Sequence, residues 1–149
     1  MYLRIGKQLF GSKNFEDALK KFNQAILRDP SNAEHFVERR KCFVSMNLLE
    51  KALEDSKEIV RLRKEFEDYC CLVRDLLGLK ELDAAKEALS TAVHIFTETS
   101  TLKVLAKDLA AAEEVRARSQ QSWKEYASRE QATKEIELLS QVAKHLKVT

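Results

Sequence analysis

Residues that interrupt helices are scarce in this chain. Among its 149 residues there are three glycines and one proline, whereas the turns of a sheet-rich domain require many such residues. Hydrophobic residues make up 44% of the chain and charged residues 34%, so there are enough apolar side chains to fold around a core. The composition argues against a sheet protein and predicts an all-α fold.

Cysteines are also few, and their spacing suggests no pairing. There are three of them, and two are adjacent at Cys70 and Cys71. A disulfide framework uses an even number of cysteines, and a zinc site uses closely spaced pairs. We therefore expect reduced, partly buried thiols, with no metal ion and no other cofactor.

The chain lacks both a strong net charge and a long apolar run. Its 26 basic and 24 acidic residues give a formal net charge of +2, which is too small to attract nucleic acid or an anionic membrane. No apolar run approaches the roughly 20 residues that span a bilayer, and the first ten residues lack a signal-peptide core. We expect no nucleic-acid or membrane partner and a cytoplasmic or nuclear location.

Motifs typical of enzymes are missing as well. The three histidines, His35, His94 and His145, fall on separate predicted helices. There is no glycine-rich phosphate loop, no HExxH and no nucleophile elbow. Cys70 and Cys71 have no histidine near them in the repeat register that could activate a thiol. We predict that the protein is not an enzyme.

What the chain does contain is a phrase that recurs three times. The phrases begin at Phe15, Leu49 and Leu82, so the period is 34 and then 33 residues. In each phrase, three side chains recur, the second four positions and the third seven positions after the first. They are Ala18, Phe22 and Ala25; Ala52, Ser56 and Ile59; Ala85, Leu89 and Ala92. Two helices of this length cannot bury their apolar faces alone and must stack on copies of themselves. The period predicts an α-solenoid.

Each phrase is the second helix of a helix pair, and the three pairs span about residues 2–30, 33–64 and 65–97. Pro30 ends the first pair because proline cannot continue a helix, and Ser31 or Asn32 can cap the next one. Tyr2 already lies in the first predicted helix, so we expect the sequence to be a fragment or a short isoform of a larger protein.

These repeats resemble the tetratricopeptide repeat family over about two-thirds of the chain. That family places an aromatic and then a small residue in the first helix, three further packing residues in the second, and a closing proline. Repeat one carries the whole pattern at Tyr2, Gly6, Ala18, Phe22, Ala25 and Pro30. Repeat two departs from it, with Arg40, Ser56 and Ile59 at the places of Gly6, Phe22 and Ala25. The resemblance implies a non-enzymatic module that binds other proteins.

In such a stack the first helices of the pairs line a concave groove, and equivalent positions form rows along it. One predicted row is basic and two are apolar: Lys7, Lys41 and Arg74; Phe10, Val44 and Leu77; Leu3, Val37 and Cys70. Cations flanked by apolar rows suit an extended peptide or a partner helix with carboxylates and apolar anchors. Glu34, Glu38 and Glu67 lie in the same groove and would pair with the cations or repel an acidic ligand. The alternative is a solvated charged face.

Many members of the family hold the acidic tails of cytosolic chaperones with a carboxylate clamp of Lys, Asn, Asn, Lys and Arg. The equivalent places here are occupied by Leu3, Lys7, Glu38, Glu67 and Cys71. None of these is the clamp residue, and the two acids would repel a ligand's carboxylates. A co-chaperone function of this kind is therefore the less favoured alternative.

From about residue 100 the repeat pattern stops and a nearly uninterrupted helical sequence begins, so we place a domain boundary between residues 99 and 100. Its first apolar stripe contains Leu102, Leu105, Leu109 and Ala112 and predicts a helix that caps repeat three. The remainder is either one long projecting helix or a helix that breaks near residues 119–122 and folds back.

Two apolar groups on this extension suggest a second interaction surface. They are the aromatic pair Trp123 and Tyr126, and the stripe of Ile136, Leu139, Ala143 and Leu146. The aromatic pair suits either an interface with another protein or docking against the chain's own solenoid. The stripe is too short to establish a coiled coil. The alternative function is therefore assembly, as a homo-oligomer or with a partner, through the C-terminal helix.

Overall fold

The computed structural model of the protein describes residues 1–96 and 100–147, with side chains up to residue 142 in the last helix. These two ranges contain seven α-helices and no strand. The helices are α1 Tyr2–Gly11, α2 Phe15–Arg28, α3 Ala33–Ser45, α4 Leu49–Leu62, α5 Phe66–Gly78, α6 Leu82–Phe96 and α7 Ser100–Lys147. The predicted all-α fold is confirmed.

The chain divides into two compact units, residues 1–112 and 113–149. The first unit contains three helix pairs and the start of α7, where Leu102, Leu105 and Leu109 are buried in one cluster with side chains of α5 and α6. This is the packing that the capping stripe predicted. The end predicted for repeat three, at residue 97, and the boundary next to residue 99 lie outside the described residues.

The recurring triplets form the interior of the stack. No member is more than 7% exposed: Ala18, Phe22, Ala25, Ala52, Ser56, Ile59, Ala85, Leu89 and Ala92. Offsets of four and seven place side chains on one face of a helix, and that face packs inward in all three pairs. The second helices begin at Phe15, Leu49 and Leu82, where the repeated phrases begin.

Close approach of α1 and α2 depends on Gly6. A methyl group at this position would lie 2.7 Å from Cδ1 of the Phe22 ring and nearer still to Cε1. Phe22 is fully buried, so its ring could not move aside without disturbing the packing of repeat one. The small residue that the repeat pattern requires here is therefore a steric necessity.

The turn inside each helix pair has the same backbone shape. A residue with positive φ follows the first helix in each case: Lys13 at 59°, Asn47 at 56° and Lys80 at 60°. The next amide donates to a carbonyl near the end of that helix, from Asn14 to Leu9 at 2.9 Å, Leu48 to Phe43 at 2.8 Å and Glu81 to Leu76 at 2.9 Å. Gly78 does not form the third turn, because it is the last residue of α5. The left-handed residue is Lys80.

The α3 N-terminus is capped by Asn32, whose side chain accepts from the Glu34 amide at 3.1 Å. This is one of the two residues predicted to do so. Pro30 lies in the link between α2 and α3, as expected from its inability to continue a helix.

Buried polar groups are concentrated in the middle of the stack. The six described residues of this kind all belong to α3, α4 or α5: His35, Glu38, Asp55, Ser56, Asp68 and Asp75. Each buried side-chain nitrogen or oxygen of the described residues has a hydrogen-bond partner. Polar networks therefore add to apolar contacts where α3, α4 and α5 meet.

In the second unit, residues 114–142 of α7 are exposed throughout. Pairs one turn apart support the helix here: Arg118 donates to Glu114 at 2.5 Å, Gln121 to Glu125 at 3.2 Å, and Lys134 pairs with Glu130 at 3.0 Å. The helix runs through residues 119–122 without interruption, so the predicted alternative of a break there is wrong. Neither α7 nor any other described helix is apolar enough over a sufficient length to cross a membrane.

Candidate peptide-binding groove

Two members of the predicted basic row meet at one acid. Lys7 Nζ on α1 lies 2.8 Å from Oε1 of Glu34 and 3.5 Å from Oε1 of Glu38, both on α3. Lys41 Nζ lies 2.8 Å from the same Glu38 oxygen. Glu38 is itself buried, which fixes its carboxylate between the two ammonium groups. The first helices of repeats one and two therefore present a shared charged surface.

The third basic residue is paired within its own helix. Nη1 of Arg74 lies 3.0 Å from Oε1 of Glu67, one of the three acids predicted to lie in the groove. All three cations of the row are therefore ion-paired with acids of the same groove. The structure supports the expectation that these acids pair with the cations, and an unpaired row of positive charge is absent from the described groove.

Hydrogen bonds at these pairs favour the charged forms of Glu34, Lys7 and Arg74. The hydrogen bond from Lys7 lowers the pKa of Glu34, and the same bond raises the pKa of Lys7. The hydrogen bond to Glu67 likewise raises the pKa of Arg74. Because the Lys7–Glu34 and Arg74–Glu67 pairs are largely exposed, each contributes no more than about 1 kcal/mol to folding. Their importance lies in the pattern of charge that they present.

The predicted apolar rows differ in how much surface they offer. Val44 is 42% exposed. Phe10 is half-buried, with its ring 5.5 Å from that of Phe15, and Leu77 packs against the larger core cluster. Cys70 is fully buried, so its predicted place on the groove surface is wrong. Its side chain packs in the core cluster with buried residues of α5, α6 and the start of α7.

A cavity of about 490 Å³ opens between α5 and α7 within the first unit. It is lined by Arg74, Leu77, Gly78, Thr101, Val104, Leu105, Asp108 and Ala112. Arg74 and Leu77 were predicted groove residues, but the contribution of α7 was missed. The spacing of Leu105 and Ala112 indicated that α7 packs here, and it carried no sign that packing would leave an open space beside α5.

The four residues of the predicted second surface whose side chains the structure describes are exposed. Trp123 is 71% exposed and Tyr126 60%, and their rings meet edge to face with centroids 6.1 Å apart. Ile136 is 67% exposed and Leu139 69%. The side chains of Ala143 and Leu146, which completed the predicted stripe, lie outside the described residues.

The cysteine thiols, and His35 in repeat two, lie in surroundings that are typical of residues with a structural role. All three cysteines are free, and burial raises the pKa of the Cys42 thiol to about 11. Burial also raises the pKa of Cys71, so neither thiol is a thiolate at neutral pH. A ring nitrogen of His35 lies 3.1 Å from the Asp29 carbonyl oxygen. Among the residues that the structure describes, no cluster of histidine, cysteine or acids could hold a metal ion.

The first unit is thus an α-solenoid of three helix pairs, in which Lys7, Lys41 and Glu38 join α1 to α3 and Arg40 and Asp75 join α3 to α5. No known family model matches the sequence. The human protein DnaJ homolog subfamily C member 3 is 32% identical over 88 residues, which are 58% of this chain and 17% of that protein. The chain therefore spans less than a fifth of the length of this curated relative.

Solved structures share the fold over most of the chain. Yeast Tom70 superposes with a TM-score of 0.68 at 21% identity, covering 80% of this chain and 25% of that one. The first TPR of Spaghetti (RPAP3), bound to the HSP90 peptide SRMEEVD, gives a TM-score of 0.63 at 15% identity, covering 78% and 90%. The first unit therefore has the fold of the tetratricopeptide repeat proteins.

Proposed function

We propose that the protein is a non-enzymatic interaction module, an adaptor that binds an extended peptide or a partner helix in the groove lined by α1, α3 and α5. The observation that carries this proposal is the meeting of Lys7 and Lys41 at Glu38, which joins successive repeats into one surface. The exposed Val44 on α3 and the cavity beside α5 supply apolar anchor points for such a ligand. A solved structure of the same fold contains a bound peptide.

The paired charges define the kind of recognition that we propose. A surface of alternating signs does not attract a ligand by net charge, but it rejects partners whose charges fall in the wrong register. Apolar contacts at Val44 and in the cavity would then supply most of the affinity. The proposed partner is a protein or peptide, met in the cytoplasm or nucleus, and neither nucleic acid nor a membrane.

Site-specific photo-crosslinking tests this proposal. A photoreactive amino acid is placed at Val44 in the groove, or at Leu27 on α2 as a matched control, since Leu27 is 83% exposed and outside the groove. We expect a partner from cell extract to crosslink at position 44 and not at position 27. Equal crosslinking at both positions, or crosslinking at 27 alone, would contradict a groove function.

A substitution pair supports the crosslinking result. Val44→Glu is expected to abolish recovery of the partner that crosslinks at position 44, because it places an acid where an apolar anchor should sit. Leu27→Glu adds the same charge elsewhere and should leave recovery unchanged. Both sites are exposed, so thermal melting of the two variants should match that of the parent protein.

Assembly through α7 is a second candidate, supported by the exposure of Trp123, Tyr126, Ile136 and Leu139. Aromatic and aliphatic side chains of this size bury large areas in interfaces. We expect Ile136→Lys with Leu139→Lys to convert an oligomer of the full chain to a monomer in sedimentation velocity. A parent chain that sediments as a monomer at all concentrations would exclude self-assembly.

Tryptophan fluorescence separates assembly from docking of the aromatic pair on the chain's own solenoid. Docking would bury Trp123 in the monomer, so its fluorescence emission would be shifted to the blue and would not depend on protein concentration. Assembly through the aromatic pair would make the shift concentration-dependent, and Tyr126→Ala should weaken it.

A further inference from the structure

We propose that the cavity between α5 and α7 is an anchor site for a basic, apolar peptide segment. One large apolar side chain enters the cavity, and an adjacent lysine or arginine of the ligand pairs with Asp108. This inference rests on the proposed groove function and specifies the chemistry of the partner.

The lining of the cavity fits an apolar side chain. Its volume of about 490 Å³ lies within the range typical of ligand sites. Leu77, Leu105 and Ala112 contribute an apolar floor. Val104 stands at the edge with 58% of its side chain exposed, although it belongs to a helix whose neighbouring leucines are buried. An apolar ligand group in this space would remove Val104 from water.

The charge that remains available in the cavity is negative. Arg74 also lines it, but the guanidinium is hydrogen-bonded to Glu67 at 3.0 Å. Asp108 is exposed. The ion pair of the lining residue Arg74 is with Glu67 and does not involve Asp108. Side chains one turn away on α7 are Val104, Leu105 and Ala112 together with a further alanine, and none of them is charged. Lys107 is adjacent in sequence and therefore lies on a different face of the helix.

A basic ligand group would complement this arrangement, whereas an acidic one would not. Lysine or arginine would find an exposed carboxylate at Asp108, close to the apolar floor. A carboxylate would instead meet Asp108 as a like charge, and it would have to displace Glu67 to reach Arg74. Farther along the groove, Lys7 and Lys41 are already paired with Glu34 and Glu38. The site thus selects against acidic peptides.

Selection from a displayed random-peptide library against the full chain tests this inference. We expect enrichment of peptides in which a large apolar residue lies within one helical turn of lysine or arginine. Asp108→Lys should shift the enriched charge to aspartate or glutamate, and Val104→Glu should abolish enrichment. Glu54→Lys, at an exposed site on α4, is the control for the change in net charge and should select the same peptides as the parent chain.

One enriched peptide is then synthesised with a fluorophore and titrated by anisotropy. Asp108→Lys should weaken its binding about tenfold or more, as expected when a close ion pair becomes a repulsion. Both substituted positions are exposed, so circular dichroism melting should show that the variants are folded.

The outcomes distinguish this inference from the broader function. Peptides whose binding depends on Val44 but not on Asp108 would overturn the anchor site and leave the groove function standing. Enrichment of acidic peptides, or of none, would also overturn the anchor site, and the absence of any groove ligand would count against both. A chain that self-associates and loses the association on Asp108→Lys would identify a second copy as the occupant, against the proposal of a separate partner.

Discussion

The turn inside each helix pair requires one residue in the left-handed backbone conformation. Lys13, Asn47 and Lys80 all adopt φ near 60°, a conformation that costs residues with a Cβ about 1–2 kcal/mol. Asparagine tolerates it better than lysine because its short polar side chain can hydrogen-bond locally. The turn geometry is retained although none of the three is glycine, so closure of the helix pair outweighs the local strain.

Glycine at the left-handed position should relieve this strain. We expect Lys80→Gly to raise the free energy of unfolding by about 0.5–1 kcal/mol, since the relief exceeds the extra entropy of glycine in the unfolded chain. Asn47→Gly is the matched control and should change it little. Urea denaturation measures both, and a loss of stability for Lys80→Gly, or an equal gain for both variants, would contradict this account.

The junction of α3, α4 and α5 explains why repeat two departs from the family pattern. Arg40 stands where repeat one has Gly6, and its Nε atom donates to Ser56 Oγ at 2.7 Å and to Asp75 Oδ2 at 2.8 Å. Nη2 donates to Asp75 Oδ1 at 2.6 Å, and Ser56 donates to Asp75 Oδ2 at 2.6 Å. Burial opposes the charge of Arg40, but the hydrogen bond and charge of Asp75 outweigh it and raise the arginine's pKa.

A buried pair of this kind depends on both partners. Asp75→Ala should lower the free energy of unfolding by about 3–5 kcal/mol, because it leaves Arg40 largely buried without a counter-charge. Replacing the whole network by Arg40→Met, Ser56→Ala and Asp75→Leu should recover most of the loss, since apolar groups of similar size can substitute for a buried ion pair. Chemical denaturation of the single and triple variants checks the non-additivity.

An exposed ion pair is the control for this prediction. Arg61 and Glu58 form a pair on the outside of α4, and Glu58→Ala should cause a much smaller change than Asp75→Ala. Similar losses in the free energy of unfolding for the two single variants would contradict this prediction, because they would show that the buried Arg40 network stabilises the protein no more than an exposed ion pair does.

Across the whole solenoid, charges of opposite sign are interleaved, and this should decide which partners are rejected. Glu38 and Glu67 occupy places where the chaperone-binding members of the family have clamp residues, and both already hold cations of this chain. The near-zero net charge of the chain gives no long-range attraction to compensate. An acidic tail would meet repulsion without gaining a free cation.

The peptide SRMEEVD, which is bound by the structurally similar Spaghetti domain, provides the test. We expect its Kd for this chain to be weaker than about 1 mM. Glu38→Asn together with Glu67→Lys should strengthen binding, because the change removes two repulsive acids and frees Lys41 and Arg74. Fluorescence anisotropy with labelled peptide measures both chains, and micromolar binding by the parent chain would refute the prediction.

Residue spacing was sufficient to predict the helices and their packing faces, but it located the groove only in part. Lys7 and Lys41 meet as the repeat register predicted, whereas Cys70 turned out to be buried although it occupies a groove position in the same register. The repeat register specifies the face of α5 on which a residue lies. Whether a residue on that face is buried or exposed depends on how the neighbouring helices pack against it. The buried role of Asp75 was missed for the same reason, since its partner Arg40 is on another helix.

The amino-acid order alone established the features that arise from short-range periodicity: three helix pairs, the buried triplets and the capping role of Leu102, Leu105 and Leu109. These follow from helix geometry, which links spacing directly to a packing face. The sharing of Glu38, the Arg40 network, the open space between α5 and α7 and the unbroken course of α7 became evident only from the folded chain. Each is set by side chains or backbone that are distant in sequence or by the balance of many weak contacts, and no local pattern encodes those distances.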